Sequence, residues 1–470
     1  MPDAALLRLS LAEAADRIRR RALSPVALIE AVLAQIDALN PALNAFTTLV
    51  PRAQVLAGAR AAEREIAAGA YRGLLHGIPV SVKDLIDTAG LRTTYGSGMF
   101  RDHVPEKDGG VPERLRAAGA VITGKTATHE LGQGMTTNNH FFGPTRNPWN
   151  PEHVPGGSSG GAGAATAALM GPLHIGTDGG GSIRKPSAFT GTFGLKASYG
   201  RVPVYPASAA WSVSHVGPMT RTVKDAALML NVIAGPDERD PYSLPAERVD
   251  YVKALKGSLK GLRVAYSETL GLAPAVDPEV RNATAKAARV FRELGCRVEA
   301  TNPSWASPWE PWRAIFLGGI AARLAPYLDR KKEIDAGLLA IVEESLAWPP
   351  AKYVQAWVDR LAWCAKAMAF FERYDLLLTP TVASPPFPHG ILYPGEIDGV
   401  KVGREASSIF TYPFNLTGQP AASVPCGFTK DGLPIGLQIV GRRFDDVTVL
   451  RASAAFETAR PWMARRPAFS

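Results

Sequence analysis

Cysteine is scarce in this chain: three residues in 470 (Cys296, Cys364 and Cys426), far apart and without a CxxC pair. That spacing excludes a disulfide framework and predicts reduced thiols, as expected of a cytoplasmic protein. Long hydrophobic runs are also missing, and no stretch approaches the roughly 20 apolar residues that cross a bilayer. The opening segment, MPDAALLRLSLAEAADRIRRR, carries Asp3 early and interrupts its apolar positions with charge, which makes it a poor signal peptide. Internal repeats and low-complexity linkers are absent too, so residues 1–470 are expected to form one large domain. Apolar residues (46%) and charged residues (20%) stand in ordinary globular proportion.

Charge of both signs is present, 52 Lys+Arg against 43 Asp+Glu, for a net +9. The densest basic groups are Arg17, Arg19, Arg20 and Arg21, and the run Arg330-Lys331-Lys332. Both lie in helix-patterned segments among acidic residues and read as solvated faces. Neither nucleic acid nor a membrane is therefore expected as a partner.

Residues 1–70 read as helical. Ser10-x-x-Glu13 is a capping box, Ser24-Pro25 opens a second helix, and Asn40-Pro41 is expected to end it. From Tyr71 short apolar runs (78–82, 120–122, 173–175) alternate with helical stretches (111–118, 161–170), an α/β rhythm. It resumes at 262–266, 278–294, 376–379, 422–424, 435–440 and 447–459. Between them, residues 301–368 hold six of the nine tryptophans and read as a helical insertion.

Two glycine–serine segments stand out: Gly156-Gly157-Ser158-Ser159-Gly160-Gly161, and Thr177-Asp178-Gly179-Gly180-Gly181-Ser182-Ile183-Arg184. Such clusters are usually plain loops, but glycine runs also let backbone N–H groups converge on a ligand, and an adjacent serine then sits beside oxyanion donors. A nucleophilic serine needs a base. None of the eight histidines sits in an arrangement that advertises the role. Lys83, closing the run Gly77-Ile78-Pro79-Val80-Ser81-Val82-Lys83-Asp84, is the other candidate, although most lysines in such places reach for water.

These three segments, in this order and spacing, resemble the amidase signature family. The resemblance continues through Gly194-Leu195-Lys196, Gly217-Pro218-Met219, Leu377-Leu378-Thr379-Pro380-Thr381 and Pro434-Ile435-Gly436-Leu437-Gln438. It covers nearly the whole chain, is strongest over 71–235 and is weakest in the Trp-rich insertion. It implies an α/β/α sandwich with a mixed central sheet, and hydrolysis of the C–N bond of a small carboxylic amide to acid and ammonia or amine, without a cofactor or a metal. In the family's pattern Ser182 matches the acylated nucleophile, Ser158 the bridging serine that follows a cis peptide bond, and Lys83 the base. The amides of Gly179, Gly180, Gly181 and Ser182 match the oxyanion hole, while Ser159, Thr177, Asp178 and Arg184 support it.

A lysine base must be neutral near pH 7, yet free lysine titrates near ~10.4, so its ammonium form must be disfavoured by roughly 4 kcal/mol through burial. Asp84 is accordingly expected to point away from it. The chain departs from the family pattern at Gly179, where a larger residue is usual and a looser loop is expected, and at Lys185 and Ser187. Trp309 and Trp312, with Tyr95 and Met135, are expected around the acyl group, selecting aromatic or bulky apolar amides; core packing explains the tryptophans equally well. The resemblance also admits a second copy of the chain as partner, in a homodimer.

Other motifs nearly fit. Gly119-Ala120-Val121-Ile122-Thr123-Gly124-Lys125-Thr126 satisfies the Walker A string, but its interior reads as a strand. Gly157-Ser158-Ser159-Gly160-Gly161 satisfies the G-x-S-x-G elbow, which would make Ser159 the nucleophile of an esterase with a downstream acid and a histidine such as His389. His129-Glu130-Leu131-Gly132-Gln133 lacks the last ligand of a zinc motif. The resemblance also admits the amidase component of a tRNA-dependent amidotransferase.

Overall fold

The computed structural model describes residues 3–469. Eleven strands form one mixed sheet: β1 (Phe46–Leu49), β2 (Pro79–Lys83), β3 (Val121–Thr126), β4 (His174–Asp178), β5 (Phe193–Lys196), β6 (His215–Thr220), β7 (Arg263–Tyr266), β8 (Arg297–Ala300), β9 (Leu376–Pro380), β10 (Ala421–Phe428) and β11 (Pro434–Gly441). Across the sheet they run β1-β3-β2-β4-β6-β5-β10-β11-β9-β7-β8. The β3-β2-β4 and β9-β7-β8 groups are parallel and the pairings between them antiparallel. The α/β class is the one the periodicity predicts, and the mixed sheet is the one the family resemblance implies. The apolar runs became strands because they are buried on both faces, as in all five residues of β2 and of β9.

Four strands escaped the periodicity reading. β1 and β8 are short and partly exposed, and β8 is half charged (Arg297, Glu299). β5 and β6 contain Gly194, Gly217 and Pro218, residues that weaken a strand pattern, and they are held as strands by pairing with their neighbours.

A one-turn helix at Ala4–Arg8 precedes α1 (Leu11–Arg19), capped by the Ser10–Glu13 box, and α2 (Pro25–Leu43), capped by Ser24. Asn40-Pro41 does not end α2. The helix continues through Pro41 to Asn44, which adopts a left-handed conformation (φ 49°) and donates its N–H to Asn40 O (2.8 Å). A proline one turn from the end forfeits a single backbone hydrogen bond, and the stop is set by Asn44 and by Asn40 Oδ1 accepting from Phe46 N–H (2.9 Å). By length and hydropathy α2 would qualify as a membrane span, against the expectation that no stretch does. It buries Leu28, Ile29, Val32, Leu33 and Ile36 against α3 (Arg52–Ala67) and the sheet, and turns Glu30 and Asp37 outward.

Two short helices carry the glycine–serine segments: α4 (Gly160–Ala167) and α5 (Arg184–Thr190), both fully buried. Residues 301–368 are helical as expected, through α6 (Trp309–Leu324), α7 (Ala336–Leu346) and most of α8 (Pro350–Arg373). The tryptophans there divide their roles. Trp305 and Trp363 pack edge to face in the core (5.2 Å), and Trp357 stacks on Trp211, whereas Trp309 and Trp312 stack on each other, with Trp312 facing the loop at Gly179.

Helix α4 has small residues because its first turn is pressed onto backbone. A Cβ on Gly161 would stand 2.4 Å from Ala127 N and 2.5 Å from Ala45 O, atoms that no rotamer change can move. Gly161→Ala is expected to lower stability by about 2–3 kcal/mol, read as a fall in urea midpoint at unchanged m-value. An unaltered midpoint would show that the α4 contact yields.

Candidate active site

Strand β2 ends at Lys83 and its parallel neighbour β4 at Thr177 and Asp178, so both strands deliver polar groups to the same sheet edge. The Gly157–Ser158 peptide is cis, and Ser158 and Ser159 precede the first turn of α4. The ammonium nitrogen of Lys83, wholly buried, lies 2.9 Å from Ser158 Oγ, 2.8 Å from Ser159 Oγ and 2.8 Å from Thr177 Oγ1. Ser159 Oγ spends its own proton on Thr177 O (3.0 Å), so toward Lys83 it can only accept. Among the described residues no carboxylate pairs with Lys83. Burial drives it well below the ordinary lysine range, and Lys185 adds repulsion, against a partial offset from Asp178. Asp84 does point elsewhere, accepting from Thr94 N–H (3.0 Å) and the Thr94 hydroxyl (2.5 Å). Burial pushes Asp84 up to about 6 despite Lys125.

Between β4 and α5 the chain turns through Gly179 to Ile183, and Asp178 and Arg184 organise that turn. The Asp178 carboxylate accepts from Gly181 N–H (2.7 Å), Ile183 N–H (3.2 Å), Arg184 Nε (3.0 Å) and Arg184 Nη2 (2.9 Å). Burial alone would raise Asp178, but the Arg184 guanidinium outweighs it and holds the carboxyl well below the usual range. Arg184 also donates to Gln438 Oε1 (2.7 Å), Asn415 Oδ1 (2.7 Å) and Thr411 O (3.0 Å). Asn415 and Gln438 lie outside the expected site residues: an amide inside the apolar run 435–440 is the sole local signal for Gln438, and nothing local marks Asn415.

Of the four amides expected in the oxyanion hole, that of Gly181 is engaged by Asp178, because the turn directs it inward at the carboxylate. Among the described residues the N–H groups of Gly179, Gly180 and Ser182 make no hydrogen bond. The loop is not loose at Gly179. A Cβ there would stand 2.7 Å from Phe316 Cε2, and one on Gly180 would stand 2.6 Å from Trp312 Cζ2, so aromatic rings fill the space a larger residue would take. Trp312 Nε1 donates to Gly179 O (2.9 Å), which ties α6 to the loop.

Ser182, 7% exposed, faces a cavity of about 450 Å³. Trp309, Trp312 and Phe316 form an aromatic wall, with Met135 among the other lining residues. Tyr95 does not reach this cavity. It lines a separate one of about 80 Å³, and its hydroxyl donates to Asp87 (2.5 Å), within the segment that follows β2. No hydrogen bond joins the hydroxyls of Ser158 and Ser182; Ser159 links the two segments, donating its N–H to Ser182 O (3.2 Å) and its hydroxyl to Thr177 O (3.0 Å).

The competing motifs find different surroundings. Lys125 of the Walker-like string is buried in β3 and donates to Ile86 O and Thr88 Oγ1. Among the described residues no histidine hydrogen bonds to Ser159, and His389 pairs with Asn138 Oδ1 (3.0 Å). Glu130 accepts from Ser97 Oγ (2.5 Å) and Asp335 N–H (2.8 Å), and no cluster of His, Cys, Asp or Glu suited to a metal ion occurs among the described residues.

Comparison with known proteins agrees with this arrangement. The Amidase family matches residues 27–450. An acylamidase of Rhodococcus erythropolis is 41% identical over 467 residues, covering 98% of each chain. A glutamyl-tRNA(Gln) amidotransferase subunit from Geobacter metallireducens is 38% identical, covering 97% of this chain and 98% of its own. Among solved structures, a bacterial aryl acylamidase of the amidase signature enzymes superposes with a TM-score of 0.91 at 32% identity, covering 98% of both chains. With a buried lysine under two serines, a glycine-loop serine facing a cavity, and this likeness along its whole length, the chain belongs to the amidase signature family and is a hydrolase of amide C–N bonds.

Proposed function

We propose that Ser182 is the nucleophile of a Ser182–Ser158–Lys83 relay that hydrolyses amides through an acyl-enzyme. The observation that carries this reading is Lys83: buried, hydrogen-bonded to Ser158, and without a carboxylate partner among the described residues to hold its proton. In its neutral form Lys83 has two N–H donors and one lone pair for its three hydroxyl neighbours. Ser159 accepts from it, so the lone pair is left for the proton of Ser158 or Thr177, and Ser158 is the one that borders Gly132 at the cavity.

Ser182 Oγ attacks the amide carbonyl as its proton passes to Ser158 and that of Ser158 passes to Lys83. The free N–H groups of Gly179, Gly180 and Ser182 take the oxyanion. The relay then runs backward, protonating the leaving amine, and water releases the acid by the same path. The Ser158–Ser182 hydrogen bond closes as the acyl group seats, in keeping with catalytic contacts that tighten on substrate binding.

Trp309, Trp312 and Phe316 favour amides with an aromatic or bulky apolar acyl group, in line with the likeness to acylamidases. Likeness to an amidotransferase component supports a second reading, in which ammonia is handed onward in a complex; turnover of a free amide by the isolated chain decides between them. Three free cysteines suit a reducing cytoplasm.

Three outcomes are expected. Lys83→Ala should lower kcat for ammonia release from a good amide by about 10³-fold or more, while a variant within tenfold of wild type would sink the relay. Because only neutral Lys83 accepts a proton, kcat/KM should fall as pH drops through its depressed pKa and level off well below its ordinary 10.5. A profile still climbing through pH 10 would contradict an activated lysine. Trp309→Ala should lower kcat/KM for aryl amides about tenfold relative to acetamide, and an unchanged ratio would remove Trp309 from the acyl subsite.

A further inference from the structure

The cavity at Ser182 holds two cations that hydrolysis of a plain amide does not require. Lys185, a position where the sequence departs from the family pattern, is buried, and its side chain runs back over the nucleophile loop: a Cβ on Gly181 would lie 3.1 Å from Lys185 Cε. Its ammonium donates to Ser408 Oγ (2.7 Å) and pairs with no carboxylate among the described residues. Arg404, half-buried on the opposite segment, lines the same cavity, and its guanidinium makes no hydrogen bond or ion pair among the described residues. The one carboxylate among the described residues that line the cavity, Asp335, caps the first turn of α7 through Leu338 N–H (3.1 Å) and pairs with neither cation. Burial lowers Lys185 to about 7; Asp178 opposes that shift, while Arg184 and Arg404 add to it. A protonated Lys185 beside Arg404 would place two like charges in a partly desolvated cavity whose lining offers neither a counter-ion, which is unfavourable unless a ligand supplies one.

We propose that Lys185 and Arg404 form an anion subsite of the acyl cavity, and that the amide substrate carries a carboxylate which they bind. The proposal rests on the reading of this cavity as the acyl site. The aromatic wall of Trp309, Trp312 and Phe316 takes the body of the acyl group, and the cations take its charged end, so the substrate class is the monoamide of a dicarboxylic acid. Charge-assisted hydrogen bonds from a lysine and an arginine to one carboxylate are stronger than neutral ones, and Ser408 holds the Lys185 ammonium in place to make them.

Binding tests this without turnover. In the Ser182→Ala chain, calorimetric titration compares 4-carbamoylbenzoate with 4-methylbenzamide, and succinamate with butyramide, pairs that differ in a carboxylate for a methyl group. The acid is expected to bind about tenfold or more tightly than its neutral partner in at least one pair. That gap should close in Lys185→Met and in Arg404→Leu. Lys185→Met replaces a buried side chain; should it unfold, the half-buried Arg404→Leu still reads the subsite. Equal affinities within both pairs, or a gap that survives in the folded variants, would overturn the anion subsite. Neither result depends on the acylation chemistry, which succeeds or fails separately in ammonia release.

Discussion

The Asp178–Arg184 ion pair is the interaction on which the site depends. Both side chains are fully buried, and an ion pair removed from water is favourable only when its remaining hydrogen-bonding capacity is met. Here it is met from both halves of the sheet. Asp178 and Arg184 flank the Gly179–Ile183 loop, whereas Thr411, Asn415 and Gln438 come from the segment that leads into β10 and from β11. Satisfying the pair therefore docks the C-terminal half of the sheet against the loop. It also spends the Gly181 N–H on the carboxylate, so the turn leaves the amides of Gly179, Gly180 and Ser182 free.

Lys83 shows the opposite electrostatic treatment a few ångströms away. Asp178 is kept charged by a dedicated guanidinium, while Lys83 is given only hydroxyls, which solvate either protonation state. Asp84, the next residue in the chain, is turned to Thr94 and feels the charge of Lys125. Neighbouring groups of opposite charge are thus kept apart by pairing one and starving the other, and the lysine's affinity for its proton falls.

Helix α6 links specificity to the same loop. Trp312 donates to Gly179 O, and Phe316 and Trp312 fill the volume left by two glycines, so the aromatic wall and the free amides are one packed unit. A larger residue at Gly179 would displace Phe316. The glycine that departs from the family pattern and the Trp-rich insertion, which resembles the family least, are therefore complementary.

Much was legible in the linear pattern. Alternating apolar runs and capped helices marked the α/β class, because burial on two faces and on one stripe leave different periods. The residues alone left the glycine–serine segments as loops and Lys83 as a lysine reaching for water; it was the resemblance carried by those segments that named the groups that meet. Tertiary structure decided what depends on distant partners. It showed that β5 and β6 pair despite Gly and Pro, that Tyr95 faces another cavity, and that the Gly181 amide is already engaged. It also brought Asn415, Gln438 and Arg404 to a loop more than 200 residues earlier. Residue type and spacing state which groups a chain possesses; which hydrogen bonds and charges remain unpaired is settled only when the folded chain uses up the rest.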